Sequence, residues 1–238
     1  MMRFYLMRVL KDYLGHLILI GLPVALIYLM VSVNTEAGNP DREAAALYIG
    51  IVYIIMFQAF GAAYAFEGLE HDFFKPFKAR LLAAPVKPYR FVLANIVFSI
   101  VIGYAQSLVL LAYVMLVFNA SVPGLGFVML ILLLGVIVAQ LFGSVAVLLL
   151  KKAAKAQALM TLYVIGGMLL AGFFFPLPES DMTIFLSKYS SPVAWTHYAA
   201  YGVIEGISSQ VFVGVSLLMS VAVLALITVV LLSKRVMA

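Results

Sequence analysis

The sequence predicts an all-α integral membrane protein with six transmembrane helices and both termini on the cytoplasmic side. Three observations carry this. The 238 residues are 66% hydrophobic and 11% charged, with a mean hydropathy of +1.15. Soluble domains run about 45–50% apolar and about 25% charged; no water-surrounded core absorbs such an excess, so the solvent is a bilayer. Six apolar runs reach the roughly 20 residues that a spanning helix needs. The basic residues are shared very unevenly between the segments joining those runs.

The runs are Leu14–Val33, Ala45–Phe66, Phe91–Phe118, Leu125–Leu150, Ala156–Phe175 and Val211–Leu232. They are continuous and lack the in/out alternation of a barrel strand, which favours helices. The first is longer than the 7–15-residue core of a signal peptide and no A-x-A site follows it, so it is read as a span. With the N-terminus inside, the inner segments hold Arg3, Arg8, Lys11, Lys75, Lys78, Arg80, Lys87, Arg90, Lys151, Lys152, Lys155, Lys234 and Arg235. The outer segments hold only Arg42 and Lys188, a thirteen-to-two split of the 15 basic residues. Cytoplasmic enrichment of Lys and Arg sets this orientation. Between spans five and six, "PVAWTHYAAYGVIEGI" (Pro192–Ile207) is apolar but short, and Pro192, Gly202, Glu205 and Gly206 interrupt it. Were it a span, Lys234 and Arg235 would fall outside. It is expected as a re-entrant or interfacial outer segment, with Tyr189, Trp195, Tyr198 and Tyr201 at headgroup level. Residues 1–238 read as a single transmembrane domain, since the connecting loops leave no room for a soluble one.

Several chemistries are excluded. The absence of cysteine removes disulfides, thiol catalysis and Cys-based metal sites. The net charge of +5 does not mark a nucleic-acid binder, because the charges lie between apolar runs rather than on one soluble face. No G-x-x-x-x-G-K-[ST] occurs, so no phosphate-binding loop of that kind is present. His16, His71 and His197 are scattered without metal-ligand spacing and read as interfacial side chains. Glu67, Glu70 and Asp72 cluster at the cytoplasmic end of span two, and the simplest expectation there is a solvated loop. No span carries a charged residue or histidine near its middle. Such a charge costs at least about 2.5–3.5 kcal/mol and marks proton relays and ion coupling. Its absence argues against a proton-coupled carrier; it disfavours a sodium-coupled one without excluding it, because broken helices can bind sodium through carbonyls.

Polar residues do occur within the spans: Gln58, Asn95, Ser99, Gln106, Ser107, Gln140, Ser144 and Thr161. Their common use is hydrogen bonding between helices, the rarer one lining a substrate path. Gly61-x-x-x-Ala65 and Ser99-x-x-x-Gly103 are spaced for close helix contact.

The segment "KPFKARLLAAPVKPYRF" (Lys75–Phe91) stands out as basic and proline-bounded between oily runs. Pro76 suits the first turn of a helix. Phe77 and Leu81 fall on one face, Lys78 and Leu82 on the next, and Pro85 and Pro88 end it. Two turns with an apolar edge and basic flanks fit a lipid-headgroup anchor and a docking helix equally. Three stretches resemble the membrane subunit of ABC transporters of the type-2 exporter permease family. "MMRFYLMRVLKDYLGHLILIGLPVALIYLM" resembles its short basic, amphipathic N-terminal helix leading into a proline-containing first span. Glu67 followed by "ARLLAAPVKPYRFVLANI" resembles its acidic residue and coupling segment after span two. "LLAGFFFPLPESDMTIFLSKYSSPVAWTHYAAYGVIEG" resembles its G-x-x-F-P stretch and outer re-entrant portion. One departure is "HDFFKPF", where members often carry an Arg–Gly–Thr-like turn.

The resemblance implies a permease without its own nucleotide site, and so not itself an enzyme. It would pair with a second copy or a sister permease in the lipid of a bacterial inner membrane and couple to ABC ATPase subunits. This chain would hold no cofactor; ATP and Mg would sit on the ATPases. Glu67, Lys75, Phe77, Lys78, Arg80, Leu81, Leu82 and Pro85 would make the ATPase-coupling element. Gln58, Thr161, Phe173, Phe174 and Phe175 are the candidates for the translocation pathway, and spans without central charge suit an apolar or amphipathic cargo. The rival readings are a stand-alone carrier or channel and a membrane-embedded lipid enzyme; the latter needs a catalytic cluster that the sequence does not offer.

The topology is testable on this cysteine-free chain. Single cysteines at Asp41, Pro123 and Asp181 should react with a membrane-impermeant thiol reagent applied to intact cells, and one at Lys152 should not. Labelling at Lys152 would invert or break the six-span order.

Overall fold

The computed structural model describes residues 13–36, 41–74, 88–175 and 177–237. The predicted N-terminal amphipathic helix and coupling segment lie outside the described residues. Nine helices and no strand occur among those described: α1 Tyr13–Glu36, α2 Arg42–Phe60, α3 Ala63–Phe74, α4 Pro88–Phe118, α5 Leu125–Leu150, α6 Ala153–Leu170, α7 Asp181–Tyr189, α8 Pro192–Ile204 and α9 Ser208–Met237. Six of them, α1, α2, α4, α5, α6 and α9, are long and apolar enough to cross a membrane, and they are the six runs read from the sequence.

The differences lie at helix ends, and each has a local cause. The run Ala45–Phe66 is two helices. At Gly61–Ala62 the backbone ladder tightens to an i−3 bond, Ala62 N–H to Ala59 O at 3.3 Å, and α3 starts anew at Ala63, as expected where glycine weakens a helix. The run Ala156–Phe175 stops at Leu170. Phe173 N–H bonds Met168 O and Gly172 N–H bonds Leu169 O, both at 3.1 Å. With Gly172 at φ +75°, this is the paired closure that ends a helix through a left-handed residue. Phe173, Phe174 and Phe175 therefore sit in the turn beyond the span.

Start signals explain the outer helices. Ser180 and Thr183 form a reciprocal capping box at the head of α7, and Ser191 accepts from Ala194 N–H with Pro192 in the first turn of α8. At the far end of α8, Gly206 (φ +73°) repeats the left-handed stop, with Ile207 N–H on Gly202 O at 2.7 Å. At 13 residues, α8 is only about 20 Å long. Its first turns lie against mid-bundle positions, Ser191 beside Gly167 of α6 and Thr196 beside Gly135 of α5; its last turn reaches Gly124, just ahead of α5. It runs alongside one half of α5.

The bundle is organised around α5, which packs against α2, α3, α4, α6, α8 and α9, whereas α1 leans mainly on α2 and α4. A large apolar cluster built on α2, α4, α5 and α8 fills one half, and a second built on α3, α5 and α6 fills the other. Close approach depends on residues without bulk. A Cβ on Gly143 would lie 2.5 Å from Phe66 Cε1 and 2.9 Å from Ala62 Cβ; both neighbours are buried and cannot yield. Gly143→Val should therefore cost about 1–3 kcal/mol by overpacking, read as a lower unfolding midpoint in detergent. Gly166→Ala, whose Cβ meets nothing within 4 Å, should leave the isolated chain unharmed. Equal tolerance of both changes would contradict this packing.

Candidate functional site

Three regions bear the sequence-derived candidates. The first is α3. Its acidic residues were expected in a solvated loop, but they lie on a helix that continues to Phe74. Phe66, Leu69 and Phe73 recur at helical spacing and are fully buried against α4, α5 and α6. Glu67 is exposed on the opposite side. Asp72 is buried, with its carboxylate 3.2 Å from His71 Nδ1. The apolar stripe at 66, 69 and 73 was present in the sequence, and it is the signal that a loop reading overlooks. α3 thus ties the chain entering residues 75–87 to the core. The candidates Lys75, Phe77, Lys78, Arg80, Leu81, Leu82 and Pro85 themselves fall outside the described residues.

The second region is the polar interior. Gln58, Asn95, Ser99, Gln106, Ser107, Gln140 and Ser144 are all buried. Their expected role as links between helices holds for Gln58: its Nε2 donates to Ser107 Oγ of α4 at 3.0 Å and to Leu132 O of α5 at 3.3 Å. The hydroxyls of Ser99, Ser107 and Ser144 instead donate to the carbonyls four residues back, Asn95, Gly103 and Gln140, at 2.7–3.0 Å. Serine in a helix interior has that local partner always within reach. Gln58 Oε1 lies 2.9 Å from a notional Cβ on Gly135, and Thr196 Oγ1 lies 3.1 Å from it. Gln58, Thr196 and Tyr163 line a small cavity of about 20 Å³.

The third region is the lateral face of α6 with the turn beyond its end. Thr161 is not with Gln58. It lies with Ala154, Gln157, Ala158, Leu162 and Ile165 along an open groove of about 580 Å³ on the outward side of α6. Phe174 and Phe175 are exposed, with ring centroids 6.3 Å apart. Phe173 turns inward onto His197, at 4.6 Å between centroids. His197 was expected to be interfacial; instead it is enclosed by Phe173, Tyr48 and Tyr201, and its Nε2 is buried with no hydrogen-bond partner among the described residues. No group of three or more His, Asp or Glu that could hold a metal occurs among the described residues.

These features define a polytopic helical membrane protein whose inward polar groups mostly serve the helices themselves. A family model described as ABC-2 family transporter protein matches residues 15–233, a region containing all six spans but for the last two residues of the sixth. The chain belongs to that family and is a permease component of a transporter. No curated protein matches it.

Whether Gln58 is packing or pathway can be separated. Gln58→Ala should destabilise by about 2 kcal/mol or more, from a new cavity and lost hydrogen bonds. Gln58→Met should come close to the parent, because Met fills the same volume and Ser107 keeps its bond to Gly103 O. The check is the thermal midpoint of each variant beside its transport activity. Wild-type stability in both with transport lost in both would make Gln58 a pathway residue.

Proposed function

We propose that this chain is the membrane subunit of an ATP-driven exporter. It pairs with a second copy or a sister permease in a bacterial inner membrane and is driven by separate ABC ATPase subunits that carry ATP and Mg. The observation that carries the reading is the family match across six spans, with no charged side chain in the middle of any of them. Ion coupling through central charges has no residues here to work with, which favours energy entering from the aqueous side.

The fold supports a route for that energy. Residues 75–87 come directly after α3, which is set apart from α2 by the irregular turn at Gly61–Ala62. α3 is anchored by Phe66, Leu69 and Phe73 beneath α5 and α6. A push on the 75–87 segment by a closing ATPase would be delivered to the bundle core through α3. Glu67, exposed on that helix, would meet the same partner. The outward face of α6, with Gln157, Thr161 and small residues among oily neighbours, supports this side as the one turned to the second permease. Thr161, Phe174 and Phe175 would then border the path between the two chains. α8, lying beside the half of α5 opposite the basic ends, would form a re-entrant outer cap together with α7.

The coupling assignment is tested with the ATPase co-expressed. Phe77→Ala with Leu81→Ala should release the ATPase in a detergent pull-down and abolish transport-linked ATP hydrolysis, with membrane insertion unchanged. Apolar anchors carry most of the energy of a docked helix. Lys87→Gln with Arg90→Gln should leave the ATPase bound. Full retention by the double-alanine protein would make the segment a lipid anchor.

A further inference from the structure

Helices α6 and α9 both pack on α5 but have little direct contact with each other. The gap between them is a groove of about 510 Å³ lined by Val145, Leu149, Leu159, Tyr163, Leu224 and Thr228, among others. It runs along α5 and α9 for about seven residues each, roughly 10 Å along the helix axes. Thr228 offers little polarity to an occupant, since its hydroxyl donates to Leu224 O at 2.8 Å.

The open end of this groove is cationic. Lys155 is one turn before Leu159 and two before Tyr163, so it stands on the same face of α6. Arg235 is seven residues beyond Thr228 and eleven beyond Leu224, which puts it on the same face of α9. Lys151, in the left-handed conformation that ends α5, and Lys152 lie at the cytoplasmic end of the floor helix, and Lys234 adjoins Arg235. All five are exposed, and none makes an ion pair among the described residues.

We propose that the groove is a binding site for an anionic glycerophospholipid, its acyl chain between α6 and α9 and its phosphate among Lys151, Lys155 and Arg235. Charge complementarity selects this occupant. A second copy of the chain docked by the same face would bring five more cations against these five. A zwitterionic lipid supplies the chain but not the net negative charge. Basic clusters between helices at the cytoplasmic boundary are the chemistry that retains anionic headgroups. The site does not depend on which partner drives transport.

The test places a reporter in the groove. In a Trp195→Phe background, which removes the sole tryptophan, Leu224→Trp puts an indole on the exposed α9 wall. Val97→Trp gives a control on an exposed stretch of α4 that also ends in a basic residue, Arg90, but does not line the groove. Each protein is reconstituted in phosphatidylcholine vesicles containing brominated phosphatidylglycerol or brominated phosphatidylcholine. At Leu224→Trp, the anionic lipid should quench with an apparent affinity at least about fivefold above that of the zwitterionic one, the effect of roughly one basic residue. At Val97→Trp the two should be within about twofold. Lys155→Gln with Arg235→Gln, both surface changes, should remove the preference at Leu224→Trp. Equal quenching by the two lipids, the same preference at Val97→Trp, or a preference that survives loss of both charges would overturn the proposal.

Discussion

The constraint on which this structure depends is the closeness with which six neighbours must approach one helix, α5. In a bilayer, lipid tails are as apolar as leucine, so helices gain little from hiding oily faces and associate through packing and hydrogen bonds. α5 meets that demand by carrying Gly135, Ala139, Gly143 and Ala146 among its leucines and valines. Gly143 admits the ring of Phe66, and Gly135 admits Thr196 and Gln58. Those two contacts bring α3 and α8, two elements that do not span, against the spanning core. Larger side chains at these positions would push away the segment leading to residues 75–87 on one side and the outer helices on the other.

The same economy governs polarity. Eight polar side chains are buried in the described spans, yet the hydroxyls of Ser99, Ser107, Ser144 and Ser233 turn back on their own helices, while the bonds of Gln58 cross from α2 to α4 and α5. The interior of a single chain is therefore spent largely on holding itself together. Polar and small groups that face outward on α6 fit a path formed between chains better than one bored through this bundle. That placement rests on burial: Gln58 is 4% exposed, while Phe175, beyond the end of α6, is 61% exposed.

Much of this is legible in the amino-acid sequence alone. Length and hydropathy identify all six spans, because a run of twenty apolar residues has few other uses. The endings are harder. Hydropathy does not register that Gly172 closes α6 in a left-handed turn, since the phenylalanines after it are as oily as the helix before. It also runs straight through Gly61, where the ladder tightens. α3 is obscured for the opposite reason: Glu67, Glu70 and Asp72 suggest solvent, and they hide a three-residue stripe that is as buried as any span. His197 shows a further limit. Its enclosure is built by Tyr48 of α2, Phe173 of the turn after α6 and Tyr201 of α8, three places that no local pattern joins.

The break at Gly61–Ala62 has a consequence for how a push could travel. An unbroken helix from Arg42 to Phe74 would move as a single rod, so displacement at one end would tilt Gln58 and its bonds to α4 and α5. Two helices joined by an irregular turn separate those motions. α3, whose Phe66, Leu69 and Phe73 are sunk against α4, α5 and α6, can pivot at that turn relative to α2, which packs on α1, α4, α5, α6 and α8. α6 is then a spanning helix directly coupled to α3, and its outward face is the one bearing Thr161 and Gln157. Under the proposed ATPase coupling, force entering beyond Phe74 would reach the face proposed to meet a second permease by a direct packed route, α3 to α6.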